Sequence, residues 1–118
     1  MQRFFRSLGF ALNGLLQLIR HERNFQIHVV AFICVLALGI FFGISSMEWV
    51  VIFLISALIM GLEAINTAIE HLCDLYSTEE NERIKKIKDL AAGAVLIAAF
   101  FAVCIAVVVF LPYVKRML

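Results

Sequence analysis

The sequence predicts an all-α integral membrane protein with three transmembrane helices and an N-terminal amphipathic helix at the membrane surface. Hydrophobic residues make up 64% of the 118 residues, more than an ordinary soluble domain contains. Three apolar runs are long enough to cross a bilayer: Phe25 to Ile44, Trp49 to about Ala68, and Leu90 to Leu111. No linker rich in serine, glycine or proline divides the chain, so residues 1–118 are expected to form a single domain.

The N-terminal helix is predicted over residues 2–20, where apolar and polar side chains occupy opposite faces. The apolar residues recur with a helical period, at Phe4, Leu8, Ala11, Leu12, Leu15 and Ile19. The opposite face carries Arg6, Asn13, Gln17 and Arg20. A cationic face opposite an apolar face with phenylalanine favours a helix in the membrane interface. A helix that packs on the protein itself is the alternative.

Basic residues are distributed unequally around the apolar runs, whose helices are predicted at about 25–44, 49–75 and 82–111; in the count that follows, the third span is the run Leu90 to Leu111. Eight of the ten lie before the first span or between the second and third, namely Arg3, Arg6, Arg20, Arg23, Arg83, Lys85, Lys86 and Lys88. The positive-inside rule therefore places the N-terminus and residues 77–89 in the cytoplasm. Pro112 is predicted to end the third helix.

Four polar side chains interrupt the second span at its cytoplasmic end, within the stretch GLEAINTAIEHLCDL. Glu63, Asn66, Glu70 and Asp74 share one stripe of the helix, about 80° wide at about 100° per residue. An acidic side chain at bilayer depth costs roughly 2.5 kcal/mol or more, which marks such residues as functional candidates. For Asp74, the alternative to a functional role is a structural one, as an anchor for the helix end or a partner for a nearby basic residue.

Small residues form a packing seam on each of the last two spans. The seams comprise Ala57, Gly61, Ala64 and Ala68 in the second span and Ala94, Ala98, Ala102 and Ala106 in the third. Three spans have too little bulk to enclose a site with several charges, so we expect a homo-oligomer with sites between helices. Ser77 or Thr78 with Glu80 or Glu82 predicts a helix start before the third span.

The polar residues at the cytoplasmic boundary suit phosphoryl transfer. Carboxylate oxygens are ligands for Mg²⁺, which completes its coordination with water and substrate phosphates. The reaction also needs a cation near the γ-phosphate and a carboxylate that accepts the proton of the attacking hydroxyl. The chain contains no GxxxxGK[ST], GxGxxG or HRD-like motif, which excludes the P-loop and protein-kinase machinery.

The motif ExxNTAIExxxD, from Glu63 to Asp74, is followed fourteen residues after Asp74 by Lys88-Asp89 and then by AAGAV. This pattern resembles the signature of the prokaryotic diacylglycerol kinase and undecaprenol kinase family. The resemblance implies a small three-span protein of the bacterial inner membrane with an N-terminal surface helix. It also implies a homotrimer with composite sites between subunits, which transfers the γ-phosphate of MgATP to a lipid hydroxyl.

The resemblance assigns roles to individual residues. Glu63 corresponds to the general base for the lipid hydroxyl, and Glu22 and Glu70 to the pair that holds the metal and the nucleotide. Asn66 corresponds to a polar residue that supports this site.

The remaining ATP contacts implied by the resemblance lie in the N-terminal helix and around the loop after the second span. Lys88 and Asp89 correspond to contacts with the ATP phosphates and ribose, and Arg3 to a basic ATP contact. Residues Glu79 to Asn81 fall where the family touches the other end of the nucleotide. Phe10 occupies a position where some members have tyrosine, which puts a hydroxyl contact there in doubt.

Helix geometry supports the division of roles between Glu63 and Glu70. The two residues are seven positions apart, roughly 10 Å along a helix, with Glu63 deeper in the span. Glu63 is therefore nearer a lipid headgroup, and Glu70 is nearer an aqueous nucleotide.

Two other functional classes also place carboxylates or small residues in a membrane. A small proton- or cation-coupled transporter explains Glu63 and Glu70 but gives Glu22 and Lys88 no role. A non-catalytic assembly subunit explains only the alanine seams. For the lipid acceptor, the resemblance implies undecaprenol rather than diacylglycerol, because ERNFQIH after the surface helix and FLP at the end of the third span look more like the undecaprenol kinases of the family. No nucleic-acid partner is expected.

Overall fold

The computed structural model describes residues 1–118 and contains four α-helices joined by short connections. The helices are α1 (Gln2–His21), α2 (Arg23–Phe42), α3 (Ser46–Tyr76) and α4 (Glu82–Met117). By length and composition, α2, α3 and α4 can each cross a membrane, with mean hydropathies of 2.4, 2.1 and 3.2. The predictions of an all-helical fold and of three potential spans are confirmed.

A single non-helical residue, Glu22, separates α1 from α2. Its backbone is extended, with φ −102° and ψ 106°, and its N–H donates to the Leu18 carbonyl. The side chain of Gln26 donates from Nε2 to the Ile19 carbonyl at 2.9 Å, which satisfies a carbonyl in the last turn of α1. The break therefore forms a corner stabilised from both sides, with the Glu22 carboxylate at its apex.

The turn between α2 and α3 uses two standard helix caps. Gly43 ends α2 in the left-handed conformation, at φ 62° and ψ 49°, which glycine adopts without steric cost. Ser45 then begins α3 with a capping box: its Oγ accepts from the Glu48 N–H at 3.3 Å, and its own N–H donates to Glu48 Oε2 at 2.7 Å. These caps make the reversal tight and place α3 directly against α2.

The start of α4 at Glu82 coincides with the start of the predicted span at about 82–111, but not with the helix start predicted at Ser77 or Thr78. Asn81 is the N-cap residue, and its Oδ1 accepts from the N–H groups of Arg83 at 2.9 Å and Ile84 at 3.4 Å. The predicted start at Ser77 or Thr78 is wrong, because the Ser77 hydroxyl accepts from the Glu79 N–H and forms a local turn instead. Residues 77–81 therefore remain a loop that separates α3 from α4.

Pro112 does not end α4, which continues to Met117. The predicted end is wrong because a proline removes only one helical hydrogen bond, a loss that membrane helices tolerate when neighbouring groups pack around it. The next residue, Tyr113, donates a hydrogen bond to Glu48 Oε2 at 2.7 Å and packs on Phe42. These contacts attach the end of α4 to both α2 and α3.

The tightest packing lies at the turn end of the bundle, next to Gly43. Its buried centre consists of Ile44, Ile52, Val109 and Phe110. Trp49 lies so close to Gly39 that a Cβ at this glycine would come within 2.5 Å of Trp49 Cη2. This apolar cluster thus lies at the end opposite the polar stripe.

The end of the bundle next to residues 77–81, opposite the turn end, is called the loop end. With 31 and 36 residues, α3 and α4 are about 46 and 54 Å long, whereas the hydrocarbon core of a bilayer is about 30 Å thick. Both helices therefore extend beyond the membrane interior.

The two small-residue seams have different surroundings. In α4, Ala98 is buried within the chain. In α3, Ala57, Gly61 and Ala68 are exposed, and no atom lies within 4 Å of a Cβ built on Gly61. The α4 seam is thus used for packing within the subunit, while most of the α3 seam has no partner.

Candidate active site

The deeper half of the polar stripe of α3, Glu63 and Asn66, is buried between the long helices, whereas Asp74 at its other end is exposed. Glu63 and Asn66 are each only 4% exposed. Asn66 donates from Nδ2 to Glu70 Oε1 at 3.3 Å, one helical turn away. The other amide atom, Asn66 Oδ1, is buried without a hydrogen-bond partner. Buried acceptors are rarely left unpaired, so this oxygen indicates a place for a donor from outside the chain.

A cleft of about 290 Å³ lies along this stripe and is called the carboxylate cleft. Its walls come from α2, α3 and α4: Asn24, Ile27, His28, Glu63, Asn66, Glu70, Ala92, Val95, Leu96 and Ala99. The cleft brings together three of the predicted site residues, Glu63, Asn66 and Glu70. One wall is apolar and is formed by α4, so the cleft can accept an apolar molecule that carries a polar group.

Two polar residues of the carboxylate cleft, Asn24 and His28, are absent from the predicted site. They lie four residues apart and therefore share one face of α2, opposite the acidic stripe. Polar side chains at helical spacing around the start of the first apolar run were the signal that could have identified them. The sequence assigns neither of them a role, because it does not show which face of α2 meets α3.

Glu22 approaches α3 from the corner between α1 and α2. Its Oε1 lies 3.3 Å from Nε2 of His71, the residue that follows Glu70. The corner thus places Glu22, one predicted metal ligand, near the part of α3 that contains Glu70, the other predicted ligand. No group of three or more His, Cys, Asp or Glu side chains forms a metal-binding cluster in the chain.

A second cavity, of about 550 Å³, lies at the loop end and is called the loop cavity. It is lined by Asp74, Ser77, Thr78, Glu79, Glu80, Asn81, Glu82, Ile84, Lys85, Lys88 and Asp89. The predicted nucleotide contacts Glu79, Asn81, Lys88 and Asp89 are therefore brought together. Nearly all of its lining is polar, in contrast to the mixed walls of the carboxylate cleft.

Ion pairs organise the charges of the loop cavity. Lys88 Nζ lies 2.6 Å from Asp74 Oδ1, and Lys85 Nζ lies 2.6 Å from Asp89 Oδ2. The adjacent residues Lys88 and Asp89 thus each have a different partner. Of the two structural roles considered for Asp74, the structure shows the contact with a basic residue, Lys88.

Arg3 and Phe10 lie apart from both cavities. They belong to α1, where Phe10 is exposed and neither residue lines the carboxylate cleft or the loop cavity. This separation follows from the corner at Glu22, which directs α1 away from the axis of α2.

Comparison with known proteins identifies the family. Residues 9–110 match the family model of the prokaryotic diacylglycerol kinases. The chain belongs to this family. It is 41% identical over 112 residues to an undecaprenol kinase of Bacillus subtilis (strain 168), a match that covers 95% of this chain and 91% of that protein.

Diacylglycerol kinases are also among its relatives. The chain is 36% identical over 107 residues to one from Synechocystis sp., which covers 90% of this chain and 61% of that protein. It is 28% identical over 101 residues to one from Escherichia coli (strain K12), which covers 86% of this chain and 83% of that protein. The resemblance indicated by the ExxNTAIExxxD motif is confirmed, and this member of the prokaryotic diacylglycerol kinases is a lipid kinase, a phosphotransferase with an alcohol as acceptor.

The matched region of this prokaryotic diacylglycerol kinase contains both cavities. Every residue that lines the carboxylate cleft or the loop cavity falls within residues 9–110. Among the predicted site residues, only Arg3 precedes this region. The two cavities therefore belong to the part of the chain on which the family assignment depends.

Proposed function

We propose that this protein transfers the γ-phosphate of ATP to the hydroxyl of undecaprenol, with Mg²⁺ as the metal ion. The observation that carries the proposal is the buried carboxylate of Glu63 in a cleft with one apolar wall. Glu63 takes the proton of the lipid hydroxyl, whose oxygen attacks the γ-phosphorus. The bond from the γ-phosphorus to the bridging oxygen breaks, and ADP leaves.

The loop cavity is the proposed site of the nucleotide. Its volume of about 550 Å³ suits a small-molecule ligand. Lys88 supplies a positive charge for the phosphates, while Asp89 contacts the ribose, and Glu79 and Asn81 contact the other end of the nucleotide. Lysine binds phosphate as a compact charge with three donors, which fits this role.

Glu22 and Glu70 are the proposed ligands of Mg²⁺. This ion is usually bound by one or two carboxylates together with water and substrate phosphates, so two carboxylates are a sufficient protein contribution. The unpaired Oδ1 of Asn66, on the residue that binds Glu70, offers an additional oxygen for the hydrated ion. When bound, the ion would neutralise charge on the phosphate groups.

The choice of acceptor is supported by the relatives and by local sequence. The match to an undecaprenol kinase has 41% identity, compared with 36% and 28% for two diacylglycerol kinases. The segment ERNFQIH places Asn24 and His28 in the carboxylate cleft, beside the proposed base. Diacylglycerol, which would yield phosphatidic acid, is the alternative acceptor.

Transfer from labelled MgATP in mixed micelles tests the acceptor. Purified protein is given undecaprenol or diacylglycerol at equal mole fractions, and we expect faster labelling of undecaprenol. Faster labelling of diacylglycerol would show that this lipid, and not undecaprenol, is the preferred acceptor. A folded protein that labels neither would contradict the lipid-kinase function and favour a transporter.

The proposed assembly is a homotrimer in the bacterial inner membrane, with α1 at the cytoplasmic surface. The exposed α3 seam is the proposed contact between subunits, since small residues let membrane helices approach closely. Arg3 and Phe10, which are remote from both cavities of their own chain, reach a site only by contact between subunits or by movement of α1.

Gly61→Leu tests this assembly. Because a Cβ at Gly61 meets no neighbouring helix or side chain within 4 Å, we expect the larger side chain to leave the subunit fold unchanged and to block close approach of a neighbour. We expect dissociation to smaller species and loss of most activity, measured by size-exclusion chromatography with light scattering. Val103→Leu enlarges another exposed side chain of a span and serves as the control. A fully active wild-type monomer in nanodiscs would contradict the proposal.

A further inference from the structure

One ion pair connects α3 and α4 at the loop end. Asp74, in the last turns of α3, meets Lys88 of α4 with 2.6 Å between Oδ1 and Nζ. The other contacts between acidic and basic side chains are that of Glu22 with His71, which joins the corner to α3, and the intrahelical pair Lys85 with Asp89. The Asp74–Lys88 contact is therefore the only ion pair that relates α4 to α3.

The surroundings of this pair are those of a ligand site. Both side chains line the loop cavity. The Lys88 side chain is 34% exposed and that of Asp74 is 56% exposed, so the pair is accessible from the cavity. A lysine ammonium group has three donors, and Asp74 occupies one of them, which leaves two for phosphate oxygens.

Lys85 also lines the loop cavity, but unlike Lys88 it pairs within its own helix. It pairs with Asp89 one turn further along the same helix, and its side chain is 75% exposed. A pair within one helix cannot set the position of that helix relative to another. Accessible ion pairs also contribute little to folding, so a large effect of Asp74 on folding is not expected.

We propose that Asp74 is a positioning residue, which holds the Lys88 ammonium group at the loop cavity in the orientation that binds nucleotide phosphate. The proposal rests on the proposed function, because it assigns phosphate binding to Lys88. Lysine has a long and flexible side chain, and an anchored ammonium group loses less freedom when the nucleotide binds. Asp74 thus acts on the nucleotide only through Lys88. It keeps its contact with Lys88 when the nucleotide binds.

Asp74→Asn tests the proposal, because the amide keeps the shape of the side chain and removes the charge. We expect the KM for ATP to rise about tenfold, the change for one charge-assisted hydrogen bond, while kcat and the KM for the lipid stay within about twofold. The affinity for ADP, measured by isothermal titration calorimetry, is expected to fall by the same factor. Asp74→Glu restores the charge and is expected to recover much of the affinity.

A double-mutant cycle separates positioning from a general structural role. Lys88→Gln alone weakens ATP binding, and adding Asp74→Asn to it is expected to cause no further loss, because Asp74 acts only through Lys88. Lys86→Gln removes a cation that does not line the cavity and should leave the KM for ATP unchanged. Loss of folded protein alone would lower kcat without changing this KM.

Three results would overturn the positioning role. They are an unchanged KM for ATP in Asp74→Asn, a lower KM, which would show that Asp74 competes with phosphate, and additive losses in the double mutant. A wild-type protein that neither transfers phosphate nor binds ADP would instead overturn the proposed function, and the positioning role with it. The calorimetry on wild-type protein distinguishes these cases.

Discussion

Glu63→Gln is expected to lower phosphate transfer to the lipid by about 10² to 10⁴-fold, the contribution typical of a general base. Glutamine has nearly the same shape as glutamate, so it fills the same buried position between the helices. It cannot accept the proton of the lipid hydroxyl. The rate is measured with saturating MgATP and lipid in mixed micelles, so that it reports kcat.

The controls for Glu63 distinguish catalysis from packing. Glu63→Gln should retain its affinity for ADP, because Glu63 lines the carboxylate cleft and not the loop cavity. Glu48→Gln makes the same substitution on the same helix at the turn end, and we expect it to retain turnover. Full turnover of Glu63→Gln would show that the base is another group, and a loss of ADP affinity would show a structural defect.

Glu70→Gln is expected to lower turnover by about 100-fold, the loss typical of removing one group that stabilises charge in the transition state. An amide lacks the negative charge that a divalent cation requires, so more Mg²⁺ should be needed for half-maximal activity. The measurement is the Mg²⁺ dependence of turnover at fixed ATP, compared between the wild type and the variant.

The outcome for Glu70 separates its two contacts. Asn66 donates to Glu70 Oε1, and the Oε1 of a glutamine can still accept this bond, so the local geometry should persist. Glu70→Asp keeps the charge and shortens the side chain, and we expect it to retain part of the Mg²⁺ response. If Glu70→Gln loses activity without any change in its Mg²⁺ dependence, the role as a metal ligand is wrong.

The grouping of three candidate site residues could be predicted from the sequence because all three lie on one helix, α3. Glu63, Asn66 and Glu70 share a stripe by helical period alone, and all three line the carboxylate cleft. The grouping of Lys88 and Asp89 with residues 79–81 follows from the short loop between α3 and α4. The family motif assigned roles that the helical period could not provide.

Other features depend on contacts between helices that are distant in sequence. The wall formed by Asn24 and His28 requires the rotation of α2 against α3, which no local pattern reveals. The pairing of Lys88 with Asp74 likewise requires the packing of α4 on α3, whereas Asp89 pairs with Lys85 by helical spacing within α4.

Hydropathy and helical period were enough to predict four helices, three potential spans and one acidic stripe, because these properties arise within single helices. Packing between helices determines that the α4 seam is buried, that Lys88 contacts Asp74, and that Glu22 contacts His71 of α3. It also overruled local rules at Pro112, where contacts from Tyr113 to α2 and α3 support the helix beyond the proline. Local periodicity describes each helix separately, whereas the relative rotation and depth of the helices depend on the contacts of all of them together.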